Sequence, residues 1–310
     1  TGGTLQNQGT LNKVGDGEFH MYNPTHLEQA GTLNIQRGSI VLDGSSHTQS
    51  GTTTLAADTE FQITGSGSLA VSAAARFTGA GLIRHIGGSS TTVTLADGAR
   101  IDADYALASG TVYLGGAATM NGRLLWTGGT LTSTDIAHPG ALSVNGALDM
   151  SGNTTVFLRD GVLLTHTNTG GGSRISNTSG SGFNIENGAV FRNTGALTID
   201  TPANSVVYID QDTGPTGGRF ENAGTLTKTG AGRVDFGNFG QLEFVQQGDF
   251  VVSQGLVTLG NSVTLGGTLQ MITGAVMIVV ASAFFDGTAL PMVATIAVCA
   301  VAAFILARLT

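Results

Sequence analysis

Phe220-Glu221-Asn222-Ala223-Gly224-Thr225-Leu226-Thr227-Lys228-Thr229-Gly230-Ala231-Gly232 carries the pattern on which the fold turns. An aromatic or Leu, an Asn, a Gly, a small residue and a Leu follow in fixed order, and a Gly-rich turn closes the unit. The same order recurs upstream in Leu5-Gln6-Asn7-Gln8-Gly9 and Phe191-Arg192-Asn193-Thr194-Gly195. Its core, Gly then a small residue then Leu, returns at Gly31-Thr32-Leu33, Gly67-Ser68-Leu69, Gly129-Thr130-Leu131, Gly146-Ala147-Leu148 and Gly267-Thr268-Leu269. Gly9, Thr10, Leu11, Lys13, Gly15 and Gly17 match Gly224, Thr225, Leu226, Lys228, Gly230 and Gly232 at a constant offset of 215, and these are the chain's two lysines. The segment reads as a reused module.

Spacing turns the module into a fold. Neighbouring glycine units often lie 6–8 residues apart, as at 122 and 129 or 140 and 146, and a longer step of 22 separates Gly9 from Gly31. A short strand and a tight turn fill the short step, and three such steps close one coil. Val206-Val207-Tyr208-Ile209-Asp210 and Arg233-Val234-Asp235-Phe236 alternate with period two and are rich in β-branched and aromatic residues, which predicts strand. Glycine suits the corners. Asn7, Asn193 and Asn222 fall where a coil turns, either bonding the backbone locally or stacking as a ladder inside the coil. The expectation is an all-β, right-handed parallel β-helix over residues 1–268, of roughly 12 coils at ~4.8 Å each. A sandwich or antiparallel barrel competes, because Asp43-Gly44, Asp97-Gly98, Asn121-Gly122, Asp160-Gly161 and Asn187-Gly188 are hairpin dipeptides. The short repeated periods favour the solenoid.

Composition excludes other classes. The 310 residues hold 48 Gly, 34 charges and a net charge of −8. An acidic chain with two lysines is no nucleic-acid binder. One cysteine, Cys299, rules out a disulfide scaffold and reads as a small apolar residue. Hydropathy is too high for disorder.

Near residue 268 the chemistry changes. Residues 269–285 carry no charge, Asp286-Gly287-Thr288 interrupts, and residues 289–307 are again uncharged before Arg308. A span needs roughly 20 apolar residues, so residues 269–310 read as a helical hairpin that partners a membrane through 269–307. Pro291 falls in the first turn of the second helix. The N-terminus has neither a basic stretch nor an apolar one of the signal-peptide kind, and the chain reads as a piece of something longer.

Residues 1–268 resemble the β-helical passenger and stalk regions of bacterial autotransporter and filamentous-haemagglutinin-like surface proteins. The resemblance rests on the 220–232 module and its relatives. It implies secretion to the bacterial cell surface and a structural or adhesive role, with a host surface or a polysaccharide as partner. Gly267-Thr268-Leu269-Gln270, Gly274-Ala275, Pro291-Met292 and Ile296-Ala297-Val298-Cys299-Ala300 resemble the last two helices of a bicyclomycin-resistance-type major-facilitator drug-efflux transporter. In that family the final hairpin has both ends in the cytoplasm, which conflicts with a surface solenoid. The conflict predicts a chimera joined at Gly266-Gly267-Thr268-Leu269-Gln270.

Some β-helices act on polysaccharides, so paired acids are the candidate catalytic residues. Asp210 and Asp212 are two apart, with Asp200 nearby and Arg219 the nearest cation to Asp212 in sequence. Asp102 and Asp104 form a second pair expected on one strand face. Such pairs serve acid–base hydrolysis or hold Ca²⁺, but outer-face solvation or turn formation is the favoured account of them. His20, His26, His47, His85, His138 and His166 lack metal-ligand spacing, and no cofactor is expected. Trp126, Phe183, Phe191, Tyr208 and Phe220 form either a sugar-binding stripe or a stack within the core. The main reading is a non-enzymatic structural or adhesive solenoid. A membrane-anchored polysaccharide-active enzyme using Asp210 and Asp212 is the alternative, and a drug-efflux transporter fragment follows if the tail decides.

Overall fold

A computed structural model of the chain describes residues 2–177, 182–211, 216–260, 263–267 and 271–272. The chain divides into units Thr1–Gln270 and Met271–Thr310. The first is a parallel β-solenoid with no helix among its described residues. Strands Thr4–Asn7, Thr10–Lys13 and Glu18–Tyr22 make the first coil. Each strand pairs in parallel with the third strand onward, so every third strand joins the same sheet. Eleven coils follow one another to Asp249–Val252. Sandwich and barrel are thereby excluded, since both need antiparallel neighbours. One coil takes from 19 residues, Thr92 to Thr111, up to 29, Val190 to Arg219. That spread hides the period from a search for a fixed repeat. Strands stay short, from two residues at Arg100–Ile101 to five at Glu60–Thr64, while corner loops take up the variation.

Alternation decides which side chains enter the coil. Thr52–Leu55, Glu60–Thr64 and Val190–Asn193 bury every second residue, as period-two geometry requires. Parallel register stacks the inward residues into columns. Phe19, Ile40, Phe61, Ile83, Tyr105, Leu124 and Leu148 form one column through successive coils. Its middle members are fully buried, while Phe19 in the first coil is 42% exposed because no described coil lies above it.

Close approach explains the glycine of the repeat. A Cβ on Gly31 would sit 2.1 Å from the Gly9 carbonyl oxygen, and one on Gly51 would sit 2.0 Å from that of Gly31. Gly224 and Gly248 stack under Gly195 and Gly224 in the same way. Any side chain there would push the coils apart and break the ladder, so the repeat needs Gly for space. The Asn carbonyl preceding that glycine accepts two N–H groups from the coil below. Ala30 and Gly31 donate to Asn7 O at 2.9 and 2.8 Å, and Gln247 and Gly248 donate to Asn222 O at 2.8 and 2.9 Å.

The hairpin dipeptides turn out to be corners between parallel strands. Asp160 and Asn187 have φ of 57° and 52°, and the glycines after them have 73° and 74°. This left-handed pair matches the hairpin preference, yet here it turns the chain to the next face. Asn187 Nδ2 donates to Asp160 Oδ1 at 3.0 Å, which locks one corner onto the next.

Of the hairpin expected at 269–310, only Met271–Ile272 is described, and it is extended strand. Residues 273–310, including both expected spans from there on, lie outside the described residues. Among the described residues no helix is long and apolar enough to cross a membrane.

Candidate functional site

Corner polar residues are the most organised chemistry in the solenoid. Asn7 Nδ2 donates to Gln29 Oε1 at 2.6 Å and to Thr32 O at 2.9 Å. Farther along, His166 Nδ1 donates to Asn193 Oδ1 at 2.8 Å, Asn193 Nδ2 to Asn222 Oδ1 at 2.7 Å, and Asn222 Nδ2 to Gln246 Oε1 at 3.1 Å. Asn7, Asn193 and Asn222 therefore stack as ladders: each side chain passes a bond along the stack, and the backbone carbonyl it also reaches lies on the next coil, not in its own turn. The first ladder lies between the first and second sheets, the other between the second and third.

The two lysines share one role at different corners. Lys13 Nζ donates to the carbonyls of Gly15 and Arg37, and Lys228 Nζ to those of Thr229, Gly230 and Gln254 at 2.6, 2.8 and 3.1 Å. Each thus gathers the turn two residues on and the turn of the coil below. Lys13 ends a strand of the second sheet, whereas Lys228 lies in the third. The 215-residue offset preserves the corner but moves it one face round the coil. Lys228 is fully buried. Burial pushes its pKa down, and the Asp200 charge pushes it back.

The candidate acids are each engaged separately. Asp102 Oδ1 accepts from Arg100 Nε at 2.8 Å and from Asn121 Nδ2 at 2.5 Å. Asp104 Oδ1 accepts Arg123 N–H at 2.8 Å. Asp102 follows strand Arg100–Ile101 and Asp104 opens strand Asp104–Leu107, with buried Ala103 between them. A corner therefore separates the two acids expected on one face. Asp210 is buried; its Oδ1 accepts the N–H groups of Gln211 and Gly240 at 2.8 and 3.0 Å, and Oδ2 that of Phe239 at 2.6 Å. Its carboxylate clamps the loop of the next coil. Asp212 lies outside the described residues. Asp200 Oδ1 accepts the Thr229 hydroxyl at 3.1 Å. Arg219, proposed from sequence as the nearest cation to Asp212, bonds Glu243 at 2.5 Å and Glu221 at 3.1 Å.

Charge pairing is general. Nine of the ten described arginines meet a carboxylate within 4 Å, most of them on a neighbouring coil. Arg76 instead bonds the carbonyls of Ala73 and Ala75. Among the described residues no three His, Cys, Asp or Glu side chains gather as metal ligands.

Three histidines serve as buried neutral corner pieces. His85 Nε2 faces Thr91 O at 3.3 Å and so carries the proton, leaving Nδ1 to accept from the Tyr105 hydroxyl at 3.1 Å. His47 accepts Leu27 N–H at 3.1 Å and donates to Gly44 O at 2.8 Å. His166 completes its ladder through Ser173 Oγ at 2.8 Å. Burial lowers all three pKa values, that of His85 to about 4.

Four of the five aromatics considered as a sugar-binding stripe are core. Trp126, Phe183, Phe191 and Phe220 are fully buried, with ring centroids 5.0–5.7 Å apart in sequence. Tyr208 differs: it points outward and packs on Phe239, centroids 5.5 Å apart at 49°. Together with Thr155, Gly182, Asn184, Asp210 and Gln211 the pair lines a groove of about 140 Å³. Sequence reading missed Phe239. The available signal was a large aromatic inside Gly237-Asn238-Phe239-Gly240, a loop where nothing apolar is needed.

No protein-family model matches the chain, and no curated protein or solved structure does either.

Proposed function

We propose that the chain is a non-enzymatic structural or adhesive segment of a bacterial surface protein, wound as a right-handed β-helix and held at a membrane by residues 269–307. Right-handed winding follows from the preference of parallel crossovers. One observation carries the non-enzymatic reading: Asp102, Asp104 and Asp210 are each committed to a different structural bond. A general acid and base need carboxyl groups facing one substrate across a shared space. The paired surface charges leave Thr, Ser and Asn as the main outward chemistry, suited to a stiff stalk or a weakly adhesive wall.

The test incubates the purified protein with polygalacturonate and with a neutral glucan, and reads reducing ends and unsaturated product. No product should form. Product that vanishes in Asp210→Asn, with the fold retained, would overturn the reading in favour of a polysaccharide-active enzyme. Flotation with lipid vesicles tests the tail: the full chain should float and a chain ending at Gly266 should stay in solution, β-rich by circular dichroism.

A further inference from the structure

We propose that the Tyr208–Phe239 face binds the apolar face of a neutral hexopyranose in a glycan chain. The assignment deepens the adhesive reading above and rests on it. Phe239 is 70% exposed, among the most exposed large apolar side chains described. Its exposure is built in. Asp210 accepts the backbone N–H groups of Phe239 and Gly240, so the loop tip is fixed and the ring cannot fold into the core. Tyr208 stands beside it at 49°, and the two rings form a shallow wedge rather than a flat stack. One coil up, Gly182 is in register with Tyr208 and Asn184 with Asp210. A Cβ at Gly182 would lie 2.8 Å from the Tyr208 carbonyl oxygen and 3.1 Å from its Cβ, so a glycine is what lets the neighbouring strand lie this close to Tyr208.

The chemistry of the groove selects its ligand. Aromatic faces carry partial negative charge and attract the polarised C–H groups on one side of a pyranose. The Asn184 and Gln211 amides beside them suit hydroxyls. Among the described residues that line the groove Asp210 is the charged one and none is a cation, so a uronic acid would meet a like charge. A fixed platform loses little freedom on binding.

The test uses the full-length chain with β-1,4-galactotetraose, cellotetraose and trigalacturonate, followed by saturation-transfer NMR and tyrosine fluorescence. At least one neutral probe should bind, with saturation concentrated on the C–H protons of one ring, and the uronate should bind more weakly. Phe239→Ala should weaken binding about tenfold with the melting temperature unchanged. Ile136→Ala, equally exposed elsewhere, should bind as the parent does. The proposal is overturned if neither neutral probe binds, if the uronate binds best, or if Phe239→Ala binds like the parent. Attachment of labelled protein to bacterial and epithelial cells separates the two readings. Attachment that survives Phe239→Ala keeps the adhesive reading and removes this site. Absence of attachment in a parent that binds oligosaccharide removes the adhesive reading and leaves the site.

Discussion

Lys228 shows how one residue holds a corner together. Its ammonium donates to three carbonyls of two successive turns, those of Thr229, Gly230 and Gln254, of which Thr229 O also accepts the Thr201 N–H at 3.2 Å. Truncation removes that donor from the Gly230 and Gln254 carbonyls, and leaving buried acceptors unpaired costs more than the net value of the bonds. Lys228→Ala should destabilise by about 3 kcal/mol, whereas Lys13→Ala, at a partly exposed corner, should cost under about 1 kcal/mol. Urea midpoints of the two variants check the ratio. His85 gives a pH dependence. Its folded pKa of about 4 lies below the ordinary 6.5, so between those values the unfolded chain binds the extra proton. Its contribution is complete above pH 6.5 and is lost as the pH falls towards 4. For this buried group the span amounts to about 3 kcal/mol. The urea midpoint should therefore drop from pH 7 to pH 4.5, and His85→Asn should shrink that drop. An equal drop in the variant would remove His85 as a cause.

At the scale of strands and columns, position along the stack sets the cost of a substitution. Phe61 is enclosed by coils on both sides and packs edge-on against Phe77 at 5.6 Å. Phe19 occupies the same column with no described coil above it. Phe61→Ala should cost about 3–5 kcal/mol, and Phe19→Ala about 1–2 kcal/mol. Thermal and urea unfolding of both decide it, and equal costs would mean that the first coil is covered in solution. The column was legible in the alternation of each strand, because burial on one side imposes period two. The three-sheet topology was legible in the Gly-small-Leu units. The partners within the columns were not. Register depends on coil lengths that run from 19 to 29 residues, and loop length leaves no periodic mark. Site residues were less legible for a related reason. Asp210 looks like a catalytic acid in sequence because nothing local reveals that its acceptors are filled by N–H groups 29 and 30 residues away.

For the solenoid as a molecule, each coil touches chiefly its neighbours, so stability approximates a sum of coil and interface contributions. Removing one complete coil should then leave a folded rod. Deleting Thr111–Gly129 brings Thr130 to the register position of Thr111. The shortened chain should keep its β spectrum, and its melting temperature should fall by a few degrees. Loss of cooperative melting in that variant would show that coupling reaches beyond neighbours. The displaced lysine corner carries a different consequence. Lys13 and Lys228 perform one task on different faces, so a corner does not belong to a side of the prism. The unit that repeats is a strand with its bend, not a full turn. A chain built from that unit would lengthen or shorten by thirds of a circuit, each insertion rotating everything downstream by one face. Homologous rods would then drift out of phase while every bend stayed intact, and comparison by linear alignment would lose them before their architecture changed.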